Sequence, residues 1–210
     1  MKDFDPARSF GEAVAASYDD EPRGDETDAV AFLEQLAGDC PALELAVGTG
    51  RIALPLAARG VRVDGIDISP DMVARLLAKP GGQAISVTIG DFADVPVAGK
   101  YGLVYVVFNT LFNLLSQDAQ VRCFENVAAH LSDEGSFVVE AFVPTFLHRL
   151  HNIVSNVEYE RGDGHFWQEF GDIEIAHGLV KTGCIVGRRT LSLHYIESGR
   201  LFDCRGRNDL

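Results

Sequence analysis

Apolar and polar positions along the chain change their period twice. After a polar, acidic start, Phe10–Ala16 and Asp28–Ala37 read as two short helices, the second with Val30, Phe32, Leu33 and Leu36 on about one face. From Ala42 onward short apolar runs alternate with longer amphipathic stretches. Ala42–Val47, Val61–Asp67, Ala84–Ile89, Tyr101–Phe108 and Ser136–Val143 read as strands. Between them, Arg51–Arg59, the segment opening at Pro70 and Ser116–Leu131 read as helices, the last with Val121, Phe124, Val127, Ala128 and Leu131 at core spacing. The punctuation agrees. Gly60 stops one helix, Ser69-Pro70 starts the next, Lys79-Pro80-Gly81-Gly82 breaks it and Asp133-Glu134-Gly135 ends the last. Strands alternating with helices predict an α/β fold, a doubly wound and mostly parallel sheet with helices on both faces.

The period changes again after Val143. Pro144–Asn152 reads as a helix or turn, and Val157–Phe202 as antiparallel strands broken by Gly162-Asp163-Gly164, Gly171-Asp172, Gly178, Gly183, Gly187 and Ser198-Gly199. The expected organisation is a helical cap over 1–38, a core over 39–145 and an antiparallel β-rich extension over 146–210. A chain of 210 residues with 47% hydrophobic content suffices for one well-buried core plus that extension. Its 31 acidic and 18 basic residues give a formal charge of -13, which argues against nucleic acid and anionic membrane partners. Cys40, Cys123, Cys184 and Cys204 are scattered without metal-ligand spacing, and the start lacks an apolar leader segment; a reducing, cytoplasmic setting and no metal are expected.

Candidate chemistry gathers where the first strand passes into a helix. Gly48-Thr49-Gly50 permits a tight turn whose backbone N–H groups approach a nucleotide-type ligand, the arrangement of a Rossmann-like fold. The same residues, continued as Arg51-Ile52-Ala53, also satisfy the pattern of NAD-binding folds. Asp67 closes the second strand, where a carboxylate accepts hydrogen bonds from ribose hydroxyls. Asp91 and Phe92 follow the third, where a carboxylate accepts from an adenine amine and a ring supplies a flat wall. Each has a plainer alternative: a helix cap for Asp67, a turn for Asp91.

The succession Glu44-x-Ala46-x-Gly48-Thr49-Gly50, then Val63-x-Gly65-Ile66-Asp67-Ile68-Ser69, then Gly90-Asp91-Phe92 resembles the class I S-adenosylmethionine-dependent methyltransferases, over roughly Tyr18 to Pro144. The resemblance implies S-adenosylmethionine as cofactor, a small-molecule acceptor and in-line methyl transfer to nitrogen or oxygen. It places Glu44, Ala46, Gly48, Thr49, Gly50 and Arg51 at the methionine and ribose end, with Ala46 where many members have a glycine. Asp67 and Ile68 fall at the ribose; Met72, Gly90, Asp91 and Phe92 fall at the adenine. Phe108 and Asn109, at the end of the fourth strand, border the sulfonium and the acceptor, and Tyr18 lies in a segment folding over the cofactor near the reacting methyl. Tyr18 and Asn109 are the catalytic candidates. Asn113 stands beside them as a weaker acceptor contact, and Phe142, Phe146, Phe166, Trp167 and Tyr195 could line an acceptor pocket. None of His148, His151, His165, His177 and His194 is singled out as a base.

One departure counts against the resemblance. The closing helix and the sixth and seventh strands usual in the family are not visible, which leaves three readings open: a shortened chain, a divergent C-terminus, or an incomplete sheet edge that needs a partner, for which a homodimer is the candidate. The competing readings are an NAD(P)-binding oxidoreductase and a non-catalytic S-adenosylmethionine-binding module.

Overall fold

A computed structural model describes residues 5–20 and 26–141 and the strand backbone of 181–187, 190–197 and 200–203. Three helices open the chain: α1 (Pro6–Ser9), α2 (Glu12–Ser17) and α3 (Glu26–Ala37). Then follow β1 (Ala42–Leu45), α4 (Ala53–Ala58), β2 (Val63–Asp67), α5 (Pro70–Ala78), β3 (Ser86–Ile89), β4 (Tyr101–Val106), α6 (Gln117–His130) and β5 (Leu131–Glu140). These five strands are parallel in the order β3-β2-β1-β4-β5, so the chain reverses its direction of winding between β1 and β4. The expected architecture is present.

Strand alternation explains the two layers. Ala42, Val63, Leu103, Tyr105 and Val138 pack with Val30, Leu33, Leu56 and Leu76 of the helices on one face. Their neighbours Leu43, Leu45, Ile66, Val104, Val106, Phe137 and Val139 pack with Cys123 and Val127 of α6 on the other. Successive side chains of a strand point to opposite faces, so a run buried on both sides reads as continuously apolar, as Tyr101–Val106 does. The Ser69 hydroxyl accepts from Met72 N–H to start α5, and the Ser116 hydroxyl accepts from Ala119 N–H to start α6.

Several boundaries differ from expectation. α4 begins at Ala53, leaving Arg51 and Ile52 in the turn that precedes it. Asp133-Glu134-Gly135 falls inside β5, which starts at Leu131; a register shift opposite Tyr101 and Leu103 admits the extra residues. The edge beyond β5 is paired: β6 (Lys181–Gly187) runs antiparallel to β5, followed by β7 (Thr190–Glu197) and β8 (Arg200–Asp203), each antiparallel to the last. The edge of β5 is therefore covered by β6 of the same chain.

Gly65 lies where β2 passes the turn after β1, and a Cβ there would stand 2.8 Å from the Val47 side chain. Gly65→Ala is expected to cost about 1–3 kcal/mol by overpacking, read as a lower urea midpoint with an unchanged slope. A change under about 0.5 kcal/mol would show that Val47 moves aside freely.

Candidate functional site

The carboxyl ends of β1 and β4 face each other across the point where winding reverses, the usual place for a ligand in an open α/β sheet. The backbone there is strained. Ala46 (φ 58°), Gly48 (φ 54°) and Gly50 (φ 78°) are left-handed after β1; Phe108 (φ 57°) and Asn109 (φ 62°) are left-handed in succession after β4. Each such non-glycine residue costs on the order of 1–3 kcal/mol. The φ of Ala46 explains why glycine suits its position. Gly50 has a second reason, since a Cβ would stand 3.0 Å from Leu54 and Leu76.

The acids at the strand ends lie on one rim and are largely engaged by the protein. Asp67 is buried, and its carboxylate accepts from Gly48 N–H at 2.7 Å and Ser69 N–H at 2.8 Å, with Ile68 N–H a further donor. A carboxylate offers about four acceptor positions, so capacity remains for another donor. Burial raises its pKa against those backbone bonds. Glu44 stands behind the turn: it accepts from the Tyr105 hydroxyl at 3.0 Å and from Ala53 N–H at the start of α4. Burial lifts its pKa to about 8; Tyr105, Ala53 and Arg51 pull it down and the nearby Asp67 adds to the rise. Burial, and then the Glu44 carboxyl, also raise the Tyr105 pKa. The N–H groups of Gly48 and Gly50 bond Asp67 and the Val47 carbonyl, so the two glycines supply turn geometry and not open donors.

Arg51 joins the two strand ends. Its Nη2 donates to Glu26 Oε1 at 2.8 Å, and its guanidinium carbon lies 4.5 Å from the Phe108 ring centroid and 6.0 Å from that of Tyr18. Its Nη1 is buried and lacks a hydrogen-bond partner among the described residues. An unpaired guanidinium donor in a site walled by aromatic rings suits a planar anion such as a carboxylate.

A further acid, unmarked by any motif, lies at the end of β5. The Glu140 carboxylate accepts from Phe108 N–H at 3.3 Å, and its carbonyl accepts from Asn109 N–H at 3.2 Å. Burial raises its pKa, opposed by the Phe108 bond and the Arg51 charge. No local sequence signal marks it, because its place beside the end of β4 is set by strand pairing.

The opening helices lie over this edge. The Thr49 hydroxyl donates to Asp19 at 2.6 Å, Lys79 pairs with Asp19 at 2.7 Å and donates to the Thr49 carbonyl, and the Ser69 hydroxyl donates to the Phe10 carbonyl at 2.6 Å. Burial works to raise the Asp19 pKa, and bonds from Lys79 and Thr49 with the charges of Lys79 and Arg51 outweigh it, so the net shift is down. Tyr18 meets Phe10 edge to face at 6.4 Å. Met72 is buried, its Cε 3.4 Å from where a Gly48 Cβ would stand, and Ile68 is half-buried.

On the third strand end, Gly90 N–H donates to the Asp67 carbonyl, which keeps the two strand ends together. A Cβ on Gly90 would stand 2.8 Å from Pro96. Asp91 accepts from Ala93 N–H at 2.8 Å, the turn role, and Phe92 is buried with Leu43, Leu45 and Ile66. Asn109 is exposed and precedes the single turn Thr110–Asn113, where Asn113 sits half-buried. Phe142, Phe146, Phe166, Trp167, His148, His151, His165 and His177 lie outside the described residues, while His194 and Tyr195 are on β7.

Comparisons with known proteins point one way. A family profile described as "Methyltransferase domain" matches residues 42–135. A dTDP-3-amino-3,6-dideoxy-alpha-D-glucopyranose N,N-dimethyltransferase of Streptomyces fradiae is 30% identical over 98 residues, 47% of this chain and 38% of the relative. YqeM of Bacillus subtilis (strain 168), named as a methyltransferase, is 23% identical over 142 residues, 65% of this chain and 58% of the relative. The chain thus spans less than two thirds of either curated relative. The solved structure of the CcbJ methyltransferase from Streptomyces caelestis superposes with a TM-score of 0.64 at 28% identity, covering 97% of this chain and 78% of that one.

The Glu44 shift makes a pH prediction. An unfolded Glu44 releases its proton near pH 4.5 and the native one near 8, so between those values the folded state holds the extra proton. Stability from this group is then full below pH 4.5 and declines toward pH 8, by at most about 1.4 kcal/mol per pH unit. Glu44→Gln keeps a carbonyl acceptor for Tyr105 and Ala53 and cannot ionise. Its urea stability is expected to fall less than the wild type's between pH 5 and 8; parallel curves would contradict the assignment.

Proposed function

We infer that the chain is a class I S-adenosylmethionine-dependent methyltransferase, and that the site between β1 and β4 transfers a methyl group to the nitrogen of a small molecule. The observation that carries the reading is the buried, unpartnered Nη1 of Arg51, set between the glycine turn and the Phe108 ring. It fits the carboxylate of the donor's amino-acid part. When bound, the donor supplies an electrophilic methyl carbon on a sulfonium, displaced in line to leave a neutral thioether.

The chain's own residues then have distinct jobs. Asp67 keeps the turn closed through Gly48 and Ser69 and uses its remaining acceptor capacity on the ribose, with Ile68 alongside. Glu44 holds the turn from behind through Ala53, while Ala46, Gly48, Thr49 and Gly50 shape it. Met72, Gly90, Asp91 and Phe92 would border the adenine, Asp91 by Oδ2, the oxygen not given to Ala93, which also faces Arg122 at 3.9 Å. Tyr18 and the segment held down by Thr49 and Lys79 cover the reacting methyl, and Phe108 with Asn109 borders the acceptor. Alignment and exclusion of water are the main contributions such a reaction needs, on the order of 7–11 kcal/mol in favourable cases.

Nitrogen is preferred over oxygen because an amine arriving neutral attacks without a base, and because the Streptomyces fradiae relative is named for N,N-dimethylation of an amino sugar. The acceptor class proposed is accordingly an amine-bearing sugar or similar small molecule. Transfer of labelled methyl to amino sugars, with matched hydroxy sugars giving little, is the expected result; the reverse preference would overturn the nitrogen assignment. Arg51→Ala is expected to weaken S-adenosylhomocysteine binding about ten- to hundredfold by calorimetry, the loss of a charge-assisted bond. Unchanged affinity would remove Arg51 from the donor site.

A further inference from the structure

Phe108 and Asn109 form a consecutive left-handed pair in which neither residue is glycine, so something outside the pair must hold it. Two bonds from one residue do so. The Glu140 carboxylate takes Phe108 N–H, and the Glu140 carbonyl takes Asn109 N–H. Within the turn, Thr110 N–H reaches the Val107 carbonyl and Phe112 N–H the Asn109 carbonyl, both local bonds, while Phe108 packs on the core beside β4 and Glu140 ties the pair to β5. The ring of Phe108 is the surface on which the Arg51 guanidinium rests, 4.5 Å away.

We propose that Glu140 is a positioning residue: by tying the Phe108–Asn109 turn to the end of β5, it fixes the aromatic surface that aims Arg51 at the donor's carboxylate. Glu140 acts on the ligand through Phe108 and Arg51. Its retention as a half-buried carboxylate fits that role, since a bonded acid facing Arg51 is held by both the backbone donor and the opposite charge. The proposal rests on the donor-site reading of Arg51 above.

The test compares two ligands across variants of the whole chain. S-Adenosylhomocysteine carries the amino-acid carboxylate; methylthioadenosine has the same nucleoside and lacks it. Glu140→Ala, which removes the acceptor for Phe108 N–H, is expected to weaken S-adenosylhomocysteine binding about two- to tenfold, the range of one hydrogen bond, and to leave methylthioadenosine affinity unchanged. Glu140→Gln keeps an acceptor oxygen and is expected to restore most of the loss. In an Arg51→Ala background Glu140→Ala should have no further effect, because its route to the carboxylate is gone.

Equal loss for both ligands in Glu140→Ala, or a glutamine variant as poor as the alanine one, would overturn the proposal. If Arg51→Ala weakens S-adenosylhomocysteine binding and Glu140→Ala does not, the positioning role fails while the donor site stands. If the wild-type chain binds neither ligand, the donor reading itself fails.

Discussion

A single buried carboxylate closes the site. Asp67 ends β2, and its two oxygens reach back to Gly48 N–H in the turn after β1 and forward to Ser69 N–H at the start of α5. One side chain therefore sets the spacing of two parallel strands at their carboxyl ends and the entry of a helix. Gly90 N–H on the Asp67 carbonyl adds the third strand end to the same knot. Removing water from a carboxylate is costly, and the backbone donors around Asp67 offset that cost. The Gly48 bond ties the glycine turn to the end of β2.

Around that knot the chain accumulates features it would otherwise avoid. Ala46, Phe108 and Asn109 are left-handed without being glycine, Glu44 is buried under the turn, and one nitrogen of Arg51 has lost its water without gaining a partner among the described residues. Such local conflicts gather at binding sites, where the surrounding packing overrides each one. Here the override comes from continuous strands on both sides, with Leu43, Leu45, Val104 and Val106 wholly buried beneath the rim. A rigid sheet supports a strained edge, and the strain keeps Arg51 and the two turns in the geometry a ligand meets.

The sheet was legible because its strands are buried on both faces. Ala42–Val47 and Tyr101–Phe108 read as strands from their mostly apolar runs, of which Ala42–Leu45 and Tyr101–Val106 are the strands formed, and Ser69 before Pro70 marked a helix start that the Met72 bond realises. The boundary at Asp133-Glu134-Gly135 misled for a physical reason: turn-type residues sit in β5 because a register shift there tolerates them. The roles of the acids were only half legible. Motif spacing put Asp67 at a strand end, yet it could not reveal that the backbone of Gly48 and Ser69 already occupies its oxygens. Phe92 was read as a wall for a base; that it also packs beside Leu43 and Ile66 is set by tertiary contacts. Glu140 carries no motif at all; its importance comes from the turn on the neighbouring strand, a relation that no local pattern in the sequence encodes.

The central claim is that a nucleoside with a charged amino-acid tail lies across the β1–β4 reversal, its carboxylate on Arg51. A crystal structure of the chain with S-adenosylhomocysteine tests this most directly. The account predicts the carboxylate within hydrogen-bond distance of Arg51 Nη1 and the ribose beside Asp67. Density for the nucleoside elsewhere on the sheet, or with Nη1 still unpartnered, would contradict it.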